Sequence, residues 1–192
     1  MKVQNYPAID SPPTDPLEAI VEAWYQSRGF ITASNKWFWV HADSNRTRGY
    51  QDIDVLAVGK KETVIVSVST NLDDKVRCDS KGRVNRAMLR RLRGHFDRAE
   101  TFLREVREYR WLVARGRSIT RVVAHGTGEK LADAVRDATT AEGIELLPLR
   151  GVLADLRLFV RDARERGLRT NNQVVRLITL IDRFADTDET KA

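Results

Sequence analysis

Residues 49–70 read GYQDIDVLAVGKKETVIVSVST. Two runs rich in β-branched and apolar types, 50–58 and 63–70, flank Gly59-Lys60-Lys61, which is turn material. They predict two antiparallel strands joined by a tight turn. The first run alternates before turning apolar, and the second is apolar with a polar end. Asp54 lies between Ile53 and Val55 at the entry to a buried run. A carboxylate in that place needs a partner or a task, since charged groups are rarely carried into a core unpaired. Asp52 falls two residues earlier and so on the same strand face.

Upstream, FITASNKWFWVH (30–41) is rich in aromatic and β-branched residues and predicts a third strand of the meander. Before it, DPLEAIVEAWYQSRG (15–29) predicts a helix: Asp15 as N-cap, Pro16 at the first position, Gly29 at the end. Leu17, Ile20, Val21, Trp24 and Tyr25 form its apolar face, and Glu18 and Glu22 share another side. Residues 1–14 hold Pro7, Pro12 and Pro13 and read as an extended arm.

Downstream, the spacing of Met88, Leu92, Phe96, Ala99, Leu103 and Val106 predicts a long helix over about 83–114, with Gly94 as a point of interruption. A strand over 118–126, a helix over 128–140 and a strand over 144–149 follow, a unit that requires a parallel crossover. Helices over 152–166 and 173–184 complete the chain, the last one capped by Asn171-Asn172. The expected fold class is α/β: one domain with a mixed sheet flanked by helices. Its core spans 15–150, the C-terminal helices of 151–185 pack on that core, and 186–192 form a polar tail.

The 192 residues fit one unit at about 150 residues per domain. No stretch approaches the roughly 18 uninterrupted apolar residues of a membrane span. The first twenty residues carry Asp10, Asp15 and Glu18 and no apolar signal core, and Cys78 is the single cysteine. A soluble, cytoplasmic protein without disulfides or a multi-cysteine metal site is expected.

The net charge of +6 is unevenly placed: residues 75–117 hold 14 basic and 5 acidic side chains, and thus all the excess. Within 75–93 only Asp79 opposes eight basic residues, among them Lys81, Arg83, Arg86, Arg90, Arg91 and Arg93. Arginine forks onto phosphate oxygens, so these six are the candidate nucleic-acid contacts. Over 98–110 the signs alternate at helical spacing, which equally describes a solvated, self-paired face.

The element order and the motif in LEAIVEAWYQSRGF (17–30), GYQDIDVLAVG (49–59) and ETVIVSVST (62–70) resemble the PD-(D/E)XK nuclease superfamily. This is the restriction-endonuclease-like fold, shared with Holliday-junction resolvases and Mrr-type enzymes. The resemblance covers about residues 15–150. It implies a Mg²⁺-dependent phosphodiesterase site acting on nucleic acid, DNA more than RNA, and a homodimer as in many relatives. Phosphodiester cleavage uses a divalent cation to neutralise the phosphate and acidify water, and hard cations take carboxylate oxygens. Carried over, Asp54 takes the strand aspartate and Glu18 the helix acid, the two metal ligands, with Asp52 and Glu22 as neighbour and alternate.

The third strand departs from that pattern. Where the family reads apolar-E-x-K, this chain reads Val66-Ser67-Val68-Ser69, so Ser67 stands in the carboxylate slot and Ser69 in the lysine slot. Hydroxyls replace neither a metal-bound carboxylate nor an ammonium. The primary expectation is therefore a nucleic-acid-binding protein with an inactive or weakened site. An active Mg²⁺-dependent endonuclease with relocated catalytic residues is the alternative. It would need Asp73, Asp74 and Lys75 to fold back, although Lys75 lies six residues past Ser69, roughly 20 Å if extended. Alternatively Glu18, Glu22, Asp52 and Asp54 would hold the metal by themselves. A protein-interaction subunit whose arginines meet an acidic partner is the third reading.

His41, His95 and His125 lie on three elements without ligand spacing and read as structural. Gly126-Thr127-Gly128 follows a strand and reads as a βα turn rather than a phosphate cradle. The four tryptophans read as core or interface, with base stacking as the rarer use.

Overall fold

The computed structural model describes residues 15–40, 49–127, 133–167 and 172–189, of which 39–40, 49–50 and 182–189 by backbone only. The expected arm of 1–14, His41 and the start of the 128–140 helix lie outside the described residues.

Five strands form one sheet in the order β1 (Ile31–Val40), β2 (Gly49–Val58), β3 (Glu62–Ser69), β4 (Ser118–His125), β5 (Ile144–Pro148). β1, β2 and β3 pair antiparallel, while β3, β4 and β5 pair parallel. The α/β mixed sheet is therefore as expected, including the parallel crossover. β3 is central and covered on both faces, which explains its near-continuous apolar run. The tight turn between β2 and β3 is clasped by Arg117, whose guanidinium donates to the carbonyls of Gly59, Lys60 and Glu62.

One face of the sheet carries α2 (Arg86–Glu105) and α3 (Asp133–Ala141). Phe38, Ile53, Ile65, Val123 and Ile144 meet Leu89, Leu92, Phe96, Leu103 and Val135 there. Phe96 is fully buried, and truncating such a side chain to Ala costs about 3–5 kcal/mol. The other face carries α1 (Pro16–Ser27), against Val55, Ala57, Val64 and Val66. α4 (Leu149–Glu165) and α5 (Gln173–Glu189) add to that side by packing Val152, Leu156, Val160, Val175 and Ile178 around Ala23. Asp15 caps α1 as expected, accepting from the Leu17 N–H.

Several boundaries differ from the expectation. The long helix begins at Arg86, capped by Asn85, and ends at Glu105 instead of running over 83–114. Arg110 ends it by donating to the carbonyls of Arg104 and Glu105, which a helix leaves unpaired. A short 3₁₀ turn, Arg110–Val113, follows. Gly94 does not interrupt α2. The missing side chain leaves room for the Arg98 guanidinium, 3.0 Å from where a Cβ would sit, and Arg98 donates from there to Gln51 on β2. α4 starts at Leu149 directly from β5, so the division at 150 falls inside a helix. α5 continues to Glu189, through most of the expected polar tail. Among the described residues no helix is long and apolar enough to cross a membrane.

Candidate active site

The β2–β3 ladder extends only from Val58↔Thr63 to Val55↔Val66, so the strands part at Asp54. The Asp54 carboxylate bridges the gap: its Oδ2 accepts from the Val68 N–H at 2.5 Å and from the Ser67 hydroxyl at 3.2 Å. On the other side, Ser34↔Val55 and Lys36↔Ile53 pair across β1 and β2, leaving Asn35 opposite Asp54. Asn35 has φ +52°, a left-handed conformation that asparagine tolerates better than most residues. At this point the strands change face. Ile53 packs beneath α2, whereas Val55, two residues on, packs beneath α1. Ordinary alternation would put both on one side. The reversal is what leaves Asp54 at the parting of the strands.

α1 brings Glu18 to this point from its first turn. Burial, then the nearby carboxylates of Asp54, Asp15 and Asp52, push the Glu18 carboxyl up to about 7. The Asn35 amide faces it and opposes the rise, yet Asn35 Nδ2 makes no hydrogen bond of ordinary geometry, and Glu18 Oε2 is likewise buried without a partner. Burial also raises Asp52, followed by Asp54, with His95 and Lys75 acting against it. Asp54 is raised by burial and held back by the Val68 N–H, Lys75 and Ser67. Three poorly solvated carboxyls thus share one place.

Lys75 lowers Asp52 and Asp54 from outside contact distance, and a folded-back loop brings it within reach. After β3 the Ser69 hydroxyl donates to the Asn71 carbonyl, and Asn71 caps a 3₁₀ turn over Leu72–Asp74. Thr127, just beyond β4, accepts from the Leu72 N–H and donates to the Asn71 side chain. Gly126 allows the approach: a Cβ there would stand 2.6 Å from the Thr70 carbonyl oxygen. Leu72 and Val76 are buried and pin both ends of the turn, so the chain doubles back and Lys75 comes within the electrostatic reach of Asp52 and Asp54. Asp73 and Asp74 stay exposed.

Of the residues expected from sequence, Glu18, Asp54 and Ser67 come together, with Asp52. Ser69 does not reach them, being spent on the loop. Glu22 accepts from Thr32 and belongs to the α1–β1 contact. The six basic candidates separate. Arg83 pairs with Asp79 inside its own loop, and Arg93 pairs with Glu142 and Asp97. Lys81, Arg86, Arg90 and Arg91 are exposed and make no ion pair with a described residue. Arg91 lies one turn before His95 on α2, and so on the same side of that helix.

Two members escaped the sequence reading. His95, set down there as structural, faces Asp52 and Lys75. Burial first, then Lys75 and Arg98, push it down to about 4, and its Nε2 is buried without a partner. Its place one turn beyond Arg91 and two beyond Met88 was the available signal. Asn35 was the other: an asparagine interrupting a strand of aromatic and β-branched residues.

Glu18, Asp52 and Asp54 offer the hard oxygen donors that Mg²⁺ prefers. However, among the described residues no group of three His, Cys, Asp or Glu side chains is placed to hold a metal ion. By chemistry alone such oxygens suit Mg²⁺, which takes one or two carboxylates and completes its shell with water and phosphate oxygens. Comparison of the chain with protein-family models, curated proteins and solved structures finds no match.

Proposed function

We propose that the chain is a nucleic-acid-binding protein of restriction-endonuclease-like build, with a phosphodiesterase centre reduced to Glu18, Asp52, Asp54 and Lys75. One observation carries this reading: Glu18, Asp52 and Asp54, all held up by burial, lie in one another's field where two strands part, with Lys75 in the field of Asp52 and Asp54. Folding alone gives no reason to gather like charges, and strongly shifted groups cluster where chemistry or binding needs them. The exposed Lys81, Arg86, Arg90 and Arg91 would hold the backbone of the polyanion. Lys75 would then face the phosphate that reaches the carboxyls. Glu18 and Asp54 would hold Mg²⁺, which supplies charge neutralisation and a more acidic water. Two features weaken cleavage. Asp54 Oδ2 is already engaged by Ser67 and Val68, and Glu18 is half protonated near pH 7.

Lys75 favours a second reading, an active Mg²⁺-dependent endonuclease, because it would supply the amine that Ser69 lacks. Incubating labelled DNA and RNA with the protein and Mg²⁺ or Mn²⁺ separates the two. Binding without product supports the first. Cleavage abolished by both Asp54→Asn and Lys75→Met supports the second. A protein that neither binds nor cuts contradicts both, leaving the arginines to an acidic protein partner.

A further inference from the structure

Resting on the nucleic-acid-binding reading above, we propose that Trp37 is a stacking platform for an unpaired base, so that the bound polymer is single-stranded beside the carboxyl–lysine centre. β1 is an edge strand, and Trp37 stands on it 51 % exposed. Its register partner is Asp52, directly across the ladder. Opposed residues of an antiparallel pair share a face with Cβ atoms about 5 Å apart, so the indole borders the carboxyl cluster. The next residue holds it in place: Phe38 is buried on the other face and stacks on Phe102 of α2 at 5.0 Å. Trp37 is thereby displayed on a strand anchored from behind.

The other tryptophans with described side chains are placed differently. Trp24 donates to Asp155 and lies beneath Arg28 at 4.0 Å. Trp111 is similarly exposed but faces Arg117, beside the β2–β3 turn at the far end of the sheet. Trp37 alone of these combines an uncovered ring with a place beside the candidate site. Asp52 in turn lies within the field of Lys75, the first residue of the basic segment. Single strands need an aromatic plane as well as cations, because phosphates take the charge and every base has a π-face. A duplex offers no such face, since its bases are already stacked. A lone exposed aromatic is common on protein surfaces, so the position beside Asp52, not the exposure, gives Trp37 its meaning.

Fluorescence anisotropy of the full chain tests this with three labelled probes: an oligothymidylate, an abasic strand of equal length and a blunt duplex. The wild type should prefer the oligothymidylate. Trp37→Ala should weaken that binding about tenfold and leave the abasic strand almost unaffected, with Trp37→Phe recovering most of the loss. Equal losses on both strands, no loss, or a wild-type preference for duplex would overturn the proposal while leaving nucleic-acid binding intact. Failure of the wild type to bind any probe would instead overturn the underlying reading. Should Trp37→Ala lose its fold by circular dichroism, tryptophan emission decides. Quenching by oligothymidylate that Trp37→Phe abolishes supports the platform, and quenching that survives refutes it.

Discussion

Glu18 and His95 make the stability of the protein depend on pH from opposite sides. The folded state holds the Glu18 proton more tightly than the unfolded chain does, at about 7 against 4.5. Its contribution is therefore complete below about pH 4.5 and is lost as pH rises through about 7. His95 is pushed down from 6.5 to about 4, so its contribution is present above about 6.5 and lost as pH falls toward about 4. Urea midpoints measured across pH should pass through a maximum between these limits. Glu18→Gln should lift the alkaline side, and His95→Gln should flatten the acid side. A Glu18→Gln profile parallel to the wild type would show that the carboxyl is not desolvated in the fold.

At the scale of elements, the return of Lys75 depends on a contact between two distant loops. Thr127→Val keeps the shape of the side chain but removes the acceptor of the Leu72 N–H. A part-buried N–H left unpaired costs about 1–3 kcal/mol, which a shift in the denaturation midpoint would register. Gly126→Ala should be at least as damaging, because a Cβ there meets backbone, which cannot swing aside. The same contact explains what could be read from the chain alone. Asp15-Pro16, the turn at 59–61 and the apolar runs are local signals, and they place α1, the antiparallel meander and the parallel crossover correctly. Asp54 was also legible, since a carboxylate entering an apolar run stands out by itself, while Glu18 came only from the family resemblance. Lys75 was not, because its position is set by a hydroxyl more than fifty residues away. The end of α2 was hidden for a similar reason: periodicity continues past Glu105, and the helix end is capped by Arg110 from further along the chain. Asn35 and His95 required knowing where the strand changes face and which side of α2 lies on the sheet.

At the scale of the whole molecule, the excess positive charge of the middle segment is partly neutralised within the fold. Arg83 and Arg93 are tied to acids, while Lys81, Arg86, Arg90 and Arg91 remain exposed. Of these candidates the open cations are therefore Lys81, in the loop before α2, and Arg86, Arg90 and Arg91, in the N-terminal half of that helix. Association with a polyanion releases counterions, so the affinity should fall linearly on a logarithmic salt scale, with a slope set by the number of phosphates contacted. The decisive measurement is the binding of a labelled single strand at several salt concentrations by the wild type and by the Arg90→Glu/Arg91→Glu variant. The account predicts steeply salt-dependent binding by the wild type, and weaker binding with a shallower slope by the variant. Binding that ignores salt, or a folded variant indistinguishable from the wild type, would contradict it.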